Sequence, residues 1–217
     1  MKFTKQDLID LKHTQILTQN SKMRKTSKEN NIRLYNFGIT AYKSHSTGKI
    51  TCPFADSCVK LCYANKGSYI WTNTKKAYEK RYLLSKDTDL FKTKMIEAIT
   101  RRKATHIRIH DSGDFYNFAY INIWFQIMRE FPNVKFYAYT KSKVLFDRLR
   151  PIDIPTNFVL IYSLGSKFDN LVDVNKDRHS KIFYSMEEMY KQGYIDASSN
   201  DLLAINTNNN KIGLLIH

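Results

Sequence analysis

The chain contains 217 residues, of which 42% are hydrophobic and 13% are aromatic, and this composition excludes a disordered protein. No apolar run approaches the roughly 18 residues that a membrane span needs, and no signal peptide is recognisable, so we expect no membrane contact and a reducing, cytoplasmic location. The net charge of +15 is uneven: residues 1–103 carry 22 basic and 8 acidic residues, which favours a polyanionic partner.

The N-terminal segment is predicted to contain one helix, one loop and one strand. Residues 4–19 have apolar residues at helical spacing after a capping threonine, which predicts an amphipathic helix. Residues 20–31 are polar and basic and predict a surface loop. Residues 34–42 are largely apolar and predict the first strand.

All three cysteines of the chain lie in the loop after this strand, at Cys52, Cys58 and Cys62. Their spacings of six and four residues suit a soft metal or an iron–sulfur cluster. Two other interpretations stay open, namely three inert buried thiols or a zinc site completed by a histidine such as His45. We favour an iron–sulfur cluster, [4Fe–4S] in the first instance, because the loop is polar and three cysteines would leave one iron open.

Two helices follow, over residues 71–85 and 89–103, the second capped by Asp87 and Thr88. From residue 104 strands and helices alternate. The predicted strands are 106–110, 134–139, 157–163, 181–185 and 202–206, and the predicted helices are 117–130, 143–149 and 186–192.

Strands that alternate with helices predict an α/β fold with a parallel sheet, here a partial, open TIM-like barrel. We expect a single domain over residues 1–217. Residues 1–33 would form the N-terminal helix and basic loop, residues 34–165 the cluster-binding core, and residues 166–217 the completion of the sheet.

Polar residues follow three of the predicted strands, where ligands bind in parallel α/β folds. The candidates for cofactor binding are His110, Asp111, Ser112, Gly113 and Asp114 after one strand, and Thr140 and Lys141 after the next. Ser163 follows the third strand. The alternative is local: Asp114 would cap the helix at 117, and Thr140 and Ser142 would cap the helix at 143.

Basic side chains form two groups that are candidates for nucleic-acid contact. The candidates are Lys22, Arg24, Lys25 and Lys28 in the basic loop, and Lys75, Lys76, Lys80 and Arg81 on the outer side of the helix at 71–85. The alternative is a lysine-rich proteome whose basic proteins bind no polyanion.

The motifs resemble the phage gene product 88 family in their order along the chain. They are residues 36–39 (Asn-Phe-Gly-Ile), 47–53 (Thr-Gly-Lys-Ile-Thr-Cys-Pro), Cys58 with 62–64 (Cys-Tyr-Ala), 108–115 (Arg-Ile-His-Asp-Ser-Gly-Asp-Phe) and 136–141 (Phe-Tyr-Ala-Tyr-Thr-Lys). The resemblance spans about residues 20–165 and implies a phage protein acting in the host cytoplasm. Members of that family often carry further cysteines, whereas this chain has none after Cys62, which excludes a four-cysteine cluster in the monomer.

The order of motifs is also similar to radical S-adenosylmethionine enzymes, in which three cysteines follow the first strand and a cofactor-binding segment follows the second. Here the segment Ser112-Gly113-Asp114 takes the second position. The cysteine spacing departs from the Cys-x3-Cys-x2-Cys of that superfamily. This resemblance implies S-adenosylmethionine as a cofactor.

Two functions therefore remain open. One is radical chemistry on a nucleic acid or nucleotide at the open iron. The other is a non-catalytic iron–sulfur or zinc module that contacts nucleic acid or a host protein.

Overall fold

The computed structural model describes residues 10–216, and within that range the chain forms a seven-stranded sheet flanked by helices. The strands are β1 (Leu34–Phe37), β2 (His106–Ile109), β3 (Lys135–Thr140), β4 (Phe158–Ser163), β5 (His179–Phe183), β6 (Ile195–Asp196) and β7 (Lys211–Leu215). The α-helices are Ser21–Glu29, Cys58–Leu61, Thr72–Leu84, Thr88–Arg102, Phe118–Glu130, Lys143–Phe146, Met186–Lys191 and Asp201–Asn206. Short 3₁₀ turns occupy Asp10–His13, Tyr63–Asn65, Gly67–Ile70, Pro151–Asp153 and Asp169–Leu171.

The strands lie in the order β1-β2-β3-β4-β5-β7-β6, and every neighbouring pair is parallel. The prediction of an α/β fold with a parallel sheet is thus confirmed. The sheet is open, with β1 and β6 at its edges. Since the strands are parallel, their carboxyl ends share one edge, which we call the rim.

The larger core lies between β1–β4 and the three long helices. Ile107 and Ile109 of β2 point into it and are fully buried. They pack with Phe91 of helix Thr88–Arg102 and Trp124 of helix Phe118–Glu130, whose rings meet edge to face at 5.5 Å. These helices form where predicted because their apolar residues recur at helical spacing and Asp87 and Asn117 cap their first turns.

A smaller core covers the other face of the sheet. Met23 of helix Ser21–Glu29 and Leu202 of helix Asp201–Asn206 pack there against Tyr137 and Ile161. Arg108 alternates with Ile107 and Ile109, so its side chain points to this second face. Its guanidinium pairs with the buried carboxylate of Asp201 at 3.1 Å. The second face therefore combines an apolar core with a buried ion pair.

The N-terminal predictions are wrong in two places. Residues 10–13 form a 3₁₀ turn and residues 14–19 contain no helix, while residues 4–9 of the predicted helix lie outside the described residues. The predicted loop at 20–31 is largely the helix Ser21–Glu29. Its N-cap is Asn20, whose side chain accepts a hydrogen bond from the Met23 amide at 2.9 Å. Burial of Met23 under the sheet stabilises this helix, a tertiary contact that a polar local sequence does not reveal.

One C-terminal prediction is also wrong, because residues 202–206 form a helix and not a strand. Asn200 caps it by accepting a hydrogen bond from the Leu202 amide, and Leu202 and Ile205 share its buried side. A short apolar run fits a strand or a buried helix equally well. The sheet is completed instead by β6 and β7, which the sequence analysis did not predict.

Candidate functional site at the rim of the sheet

The four polar segments predicted to follow strands meet at the rim. The amide of Asp114 donates a hydrogen bond to the carbonyl of Thr51, which precedes the first cysteine, at 3.2 Å. On the other side the amide of Asp56 donates to the carbonyl of Gly165 at 3.2 Å. Ser166 Oγ donates to the carbonyl of Lys141 at 3.3 Å. The structure therefore joins the cysteine loop to the loops after β2, β3 and β4.

The three cysteines are free thiols, each half-buried at this rim. Ionisation of Cys62 would be opposed by a thiolate at Cys58, and ionisation of Cys52 by a thiolate at Cys62. The amide of Tyr42 donates a hydrogen bond to Cys52 Sγ at 3.3 Å. Burial, helped by the nearby carboxylate of Asp114, raises the pKa of Cys52 to about 12. Burial also raises the pKa of Cys62. Cys52 is thus a poor nucleophile by itself, whereas a bound metal would displace its proton.

The sequence suggests two kinds of metal centre, a mononuclear zinc site and an iron–sulfur cluster. Within residues 10–216, no group of three or more His, Cys, Asp or Glu side chains is arranged to hold a single metal ion. His45, the suggested fourth zinc ligand, is exposed. A mononuclear zinc site needs ligands that meet at one point, whereas in a multi-iron cluster each thiolate binds a different iron and the sulfurs surround a volume. The described side chains therefore form no preassembled zinc site.

Asp114 is buried and joins the loops through hydrogen bonds, and it does not cap a helix. Its carboxylate accepts hydrogen bonds from Thr140 Oγ1 at 2.5 Å, the Lys141 amide at 2.8 Å and the Phe115 amide at 2.7 Å. The helix that begins at Phe118 is capped by Asn117. The local-cap interpretation of Asp114 is therefore wrong. Burial raises the pKa of Asp114 in spite of these three donors.

Thr140 and Ser142 do not cap the following helix either. Thr140 Oγ1 accepts a hydrogen bond from the Ser142 amide at 3.0 Å, and Ser142 Oγ donates to the carbonyl of Phe115 at 2.7 Å. Lys141 extends across the rim, where its ammonium donates to Ser163 Oγ at 2.8 Å. That cation also lowers the pKa of Cys62, although less than burial raises it. Lys141 therefore brings positive charge to the thiols.

His110 and Asp111 occupy different environments although they are adjacent. The His110 ring is buried in the main core, 2.9 Å from the hydroxyl of Tyr120, and burial lowers its pKa to about 3. It is therefore neutral at physiological pH. The Asp111 carboxylate accepts hydrogen bonds from Tyr78 at 2.7 Å and Tyr69 at 3.2 Å through one oxygen. Its other oxygen is buried without a hydrogen-bond partner.

Ser112 and Gly113 hold the loop close to the segment after β1. The Ser112 carbonyl accepts a hydrogen bond from the Ile39 amide at 2.9 Å. Gly113 has a φ of +80°, and a Cβ there would stand 2.2 Å from Ile39 Cγ1. Only glycine fits both the backbone conformation and the contact.

Two cavities of about 220 Å³ open at the rim, and Tyr69 and Tyr78 line both of them. The first is also lined by Asn36 and Asp111. The second is also lined by Ser112, and its remaining walls include Ala64 and Asn65 just after Cys62. Small polar ligands therefore have room at the rim on either side of these tyrosines.

Sequence reasoning missed Glu79, which is fully buried. Although burial favours its neutral form, hydrogen bonds from Ser44, Ser46 and Thr40 hold the pKa of Glu79 below its ordinary value. The Thr40 hydroxyl lies 2.6 Å from Oε2 and the His45 amide 3.0 Å from it. Glu79 thus fastens the segment that leads into the cysteine loop. Its lysine neighbours make it look like an ordinary surface residue, so no local signal indicated this role.

The basic residues that are candidates for nucleic-acid contact differ in how far they are exposed to solvent. Arg81 is buried, and its Nε donates to the carbonyl of Gly38 at 2.7 Å, so its predicted place on the outer side of the helix is wrong. Lys22 pairs with Asp201. Of the remaining candidates, Arg24, Lys25 and Lys28 are exposed, whereas Lys75, Lys76 and Lys80 are only partly exposed.

The fold and rim define a parallel α/β protein with a cysteine-bearing loop above the carboxyl ends of its strands. A family model described as gene product 88 matches residues 14–216, so the chain belongs to that family, as its motifs implied. It is 32% identical over 102 residues to the Gene 88 protein of Mycobacterium phage L5, covering 42% of this chain and 43% of the phage protein. The Gene 88 protein of Mycobacterium phage D29 is 30% identical over 102 residues, with 42% of each chain covered.

The chain thus matches less than half of the length of these curated relatives. No solved structure matches the chain. The comparisons support a phage-type protein and do not show similarity to radical S-adenosylmethionine enzymes. In the described part of the chain, no helix has both the length and the apolar character to cross a membrane.

Proposed function

We propose that this chain is an iron–sulfur protein whose cluster is held by Cys52, Cys58 and Cys62. The observation that carries the proposal is that all three cysteines of the chain lie in one loop at the rim, with Cys62 near the ammonium of Lys141. Thiolate-held clusters are negatively charged, and a neighbouring ammonium stabilises that charge. With three protein thiolates, a [4Fe–4S] cluster keeps one iron open to an exogenous ligand.

Room for such a ligand supports an enzymatic role. We propose that S-adenosylmethionine is the ligand and that radical chemistry on a nucleic acid or nucleotide is the reaction. Bound together, cluster and S-adenosylmethionine supply one-electron chemistry. Asp111 and Ser112 would bind and orient the cofactor from the cavities that they line. Lys141 would position it from the β3 side, where its ammonium reaches Ser163. His110, Asp114 and the buried Thr140 would act by holding the loops in place.

A non-catalytic module is the second candidate. The exposed cations Arg24, Lys25 and Lys28 on helix Ser21–Glu29 favour it, because such a surface attracts a nucleic acid or an acidic host protein without any chemistry. In either role we propose that the protein acts in the host cytoplasm, where thiols stay reduced.

Anaerobic purification followed by iron and acid-labile sulfide analysis tests the cluster. We expect both elements in the wild type and their loss in Cys52→Ala, Cys58→Ala and Cys62→Ala. The matched control is Ser57→Ala, next to Cys58, which should keep the cluster. Stoichiometric zinc without sulfide, or clusters that survive loss of a cysteine, would contradict the proposal.

Electron paramagnetic resonance of the reduced protein separates the two candidates. If S-adenosylmethionine binds the open iron, its addition should change the spectrum of the cluster. An intact cluster whose spectrum is indifferent to S-adenosylmethionine would remove the enzymatic candidate and leave the binding module.

A further inference from the structure

We propose that single-stranded nucleic acid binds beside the cysteine loop and stacks a base on Trp71. This inference rests on the nucleic-acid partner in the proposed function and names the form of nucleic acid and the residue that contacts its bases. It does not depend on the cluster or on S-adenosylmethionine.

Three large side chains in one short segment are exposed. The exposed fractions are 52% for Tyr63, 50% for Ile70 and 66% for Trp71. Tryptophan is usually well buried in a folded protein, and clustered apolar exposure marks an interaction site. A partner that covers this segment would remove apolar surface from water.

The segment is held in a defined shape. Two 3₁₀ turns, Tyr63–Asn65 and Gly67–Ile70, lead into the helix that starts at Thr72. Trp71 is the N-cap of that helix, and its carbonyl accepts a hydrogen bond from the Lys75 amide at 2.9 Å. Trp71 is therefore presented by ordered backbone, which lowers the entropic cost of stacking a ligand on it.

The charge of the same segment identifies the partner as an anion. Residues 57–78 contain four lysines and no acidic residue. These lysines are Lys60, Lys66, Lys75 and Lys76. Of the flanking acidic residues, Glu79 is buried and already accepts hydrogen bonds from the loop, so only the exposed Asp56 offsets this charge at the surface and a positive excess remains.

Aromatic rings among cations favour a single strand over a duplex. A single strand exposes base faces that stack on aromatic rings, while its phosphates follow the cations. The second cavity lies next to this surface, since Ile70 and Lys75 line it, and it reaches Ser112 at the rim. A strand stacked on Trp71 would thus enter the site from that side.

Intrinsic fluorescence reports such stacking directly, because the chain has two tryptophans and the other, Trp124, is fully buried. We would titrate the full-length protein with an oligothymidylate of about 12 nucleotides, within the usual site sizes. The expected result is quenching of the exposed, red-shifted emission with the buried Trp124 emission unchanged. A parallel anisotropy titration with labelled oligothymidylate gives the affinity and its salt dependence.

Three variants assign the contact. Trp71→Ala should weaken binding roughly 5- to 150-fold, the loss expected for one stacked base. Trp71→Phe should keep most of the affinity and lose the quenching. The control is Tyr190→Ala, which removes another exposed aromatic residue, on the helix Met186–Lys191, and should bind like the wild type. Persistence of the Trp124 emission shows that each variant is folded.

Several outcomes would overturn the proposal. These are the absence of binding at low salt, binding that leaves the Trp71 emission unchanged, and equal losses in Trp71→Ala and Tyr190→Ala. A preference for duplex DNA or for anionic lipid vesicles over oligothymidylate would also reject it. Iron and sulfide content is measured independently, so failure here is distinct from failure of the cluster proposal.

Discussion

The hydroxyl of Thr140 donates a 2.5 Å hydrogen bond to the buried carboxylate of Asp114, across 26 residues of chain. This bond ties the loop after β2 to the end of β3. Through its amide, Asp114 also holds the carbonyl of Thr51, next to Cys52. Through its carboxylate and its amide, Asp114 thereby links three of the segments that meet at the rim.

Substitution of Asp114 by Asn should destabilise the protein by about 1–3 kcal/mol, because one of the three buried donors would face an amide NH₂ instead of an oxygen. Asn caps helices about as well as Asp, so a capping role would make the same change nearly silent. Urea unfolding measures the difference. The matched control is Thr140→Ser, which keeps the hydroxyl and should cost less. Equal stability of Asp114→Asn and the wild type would contradict the contacts described.

Cys52 should resist alkylation in the metal-free folded protein. A pKa of about 12, against an ordinary 9.0, leaves roughly a thousandfold less thiolate at neutral pH, and the thiolate is the reactive form. Iodoacetamide labelling followed by peptide mass spectrometry gives the rate for Cys52. The urea-unfolded chain is the reference, in which Cys52 should react as an ordinary thiol. Equal rates in both states would mean that Cys52 is not buried as described.

Gly113→Ala should destabilise the protein clearly more than Gly193→Ala. Both glycines have a positive φ, +80° and +77°, so both substitutions carry a similar backbone strain. At Gly113 a Cβ would also stand 2.2 Å from Ile39 Cγ1, whereas nothing lies within 4 Å at Gly193. We expect the steric term to add about 1–3 kcal/mol, measured by urea unfolding. Equal losses of stability in the two variants would show that the Ile39 side chain moves aside without an energetic cost.

Glu79 should contribute to stability at neutral pH and lose that contribution in acid. Its hydrogen bonds from Ser44, Ser46 and Thr40 outweigh burial and lower its pKa below the ordinary 4.5. The contribution is therefore complete above about pH 4.5 and is lost as the pH falls through the lower, folded-state pKa. Glu79→Gln should lower the free energy of unfolding by about 1–3 kcal/mol at pH 7. In urea unfolding repeated over a range of pH, its free energy of unfolding should fall less steeply in acid than that of the wild type.

The control for this series is Glu187→Gln, an exposed carboxylate on helix Met186–Lys191, which should leave the pH profile nearly unchanged. If Glu79→Gln and the wild type lose stability in parallel below pH 4.5, the loop is not fastened by an ionised Glu79.

The sequence alone determined the elements whose signals are local. The helices Thr72–Leu84, Thr88–Arg102 and Phe118–Glu130 were predicted within one or two residues. In the last two, the apolar residues recur at helical spacing. Strand β2 followed from the period-two alternation of residues 106–110, and β4 followed from an apolar run. The alternation of strands, β3 among them, with helices predicted a parallel sheet. From a parallel sheet, the meeting of the polar strand ends at one rim follows by geometry.

The buried polar side chains and their hydrogen-bond partners became apparent only from the three-dimensional structure. Asp201 pairs with Arg108 across 93 residues of chain, and Glu79 accepts the Thr40 hydroxyl across 39. Burial of Met23 and Leu202 in the core on the second face of the sheet stabilises residues 21–29 and 201–206 as helices. The periodicity of a sequence depends only on residues that are close along the chain. A buried charge is stable only when hydrogen-bond donors or an opposite charge surround it, and here these come from distant segments of the chain.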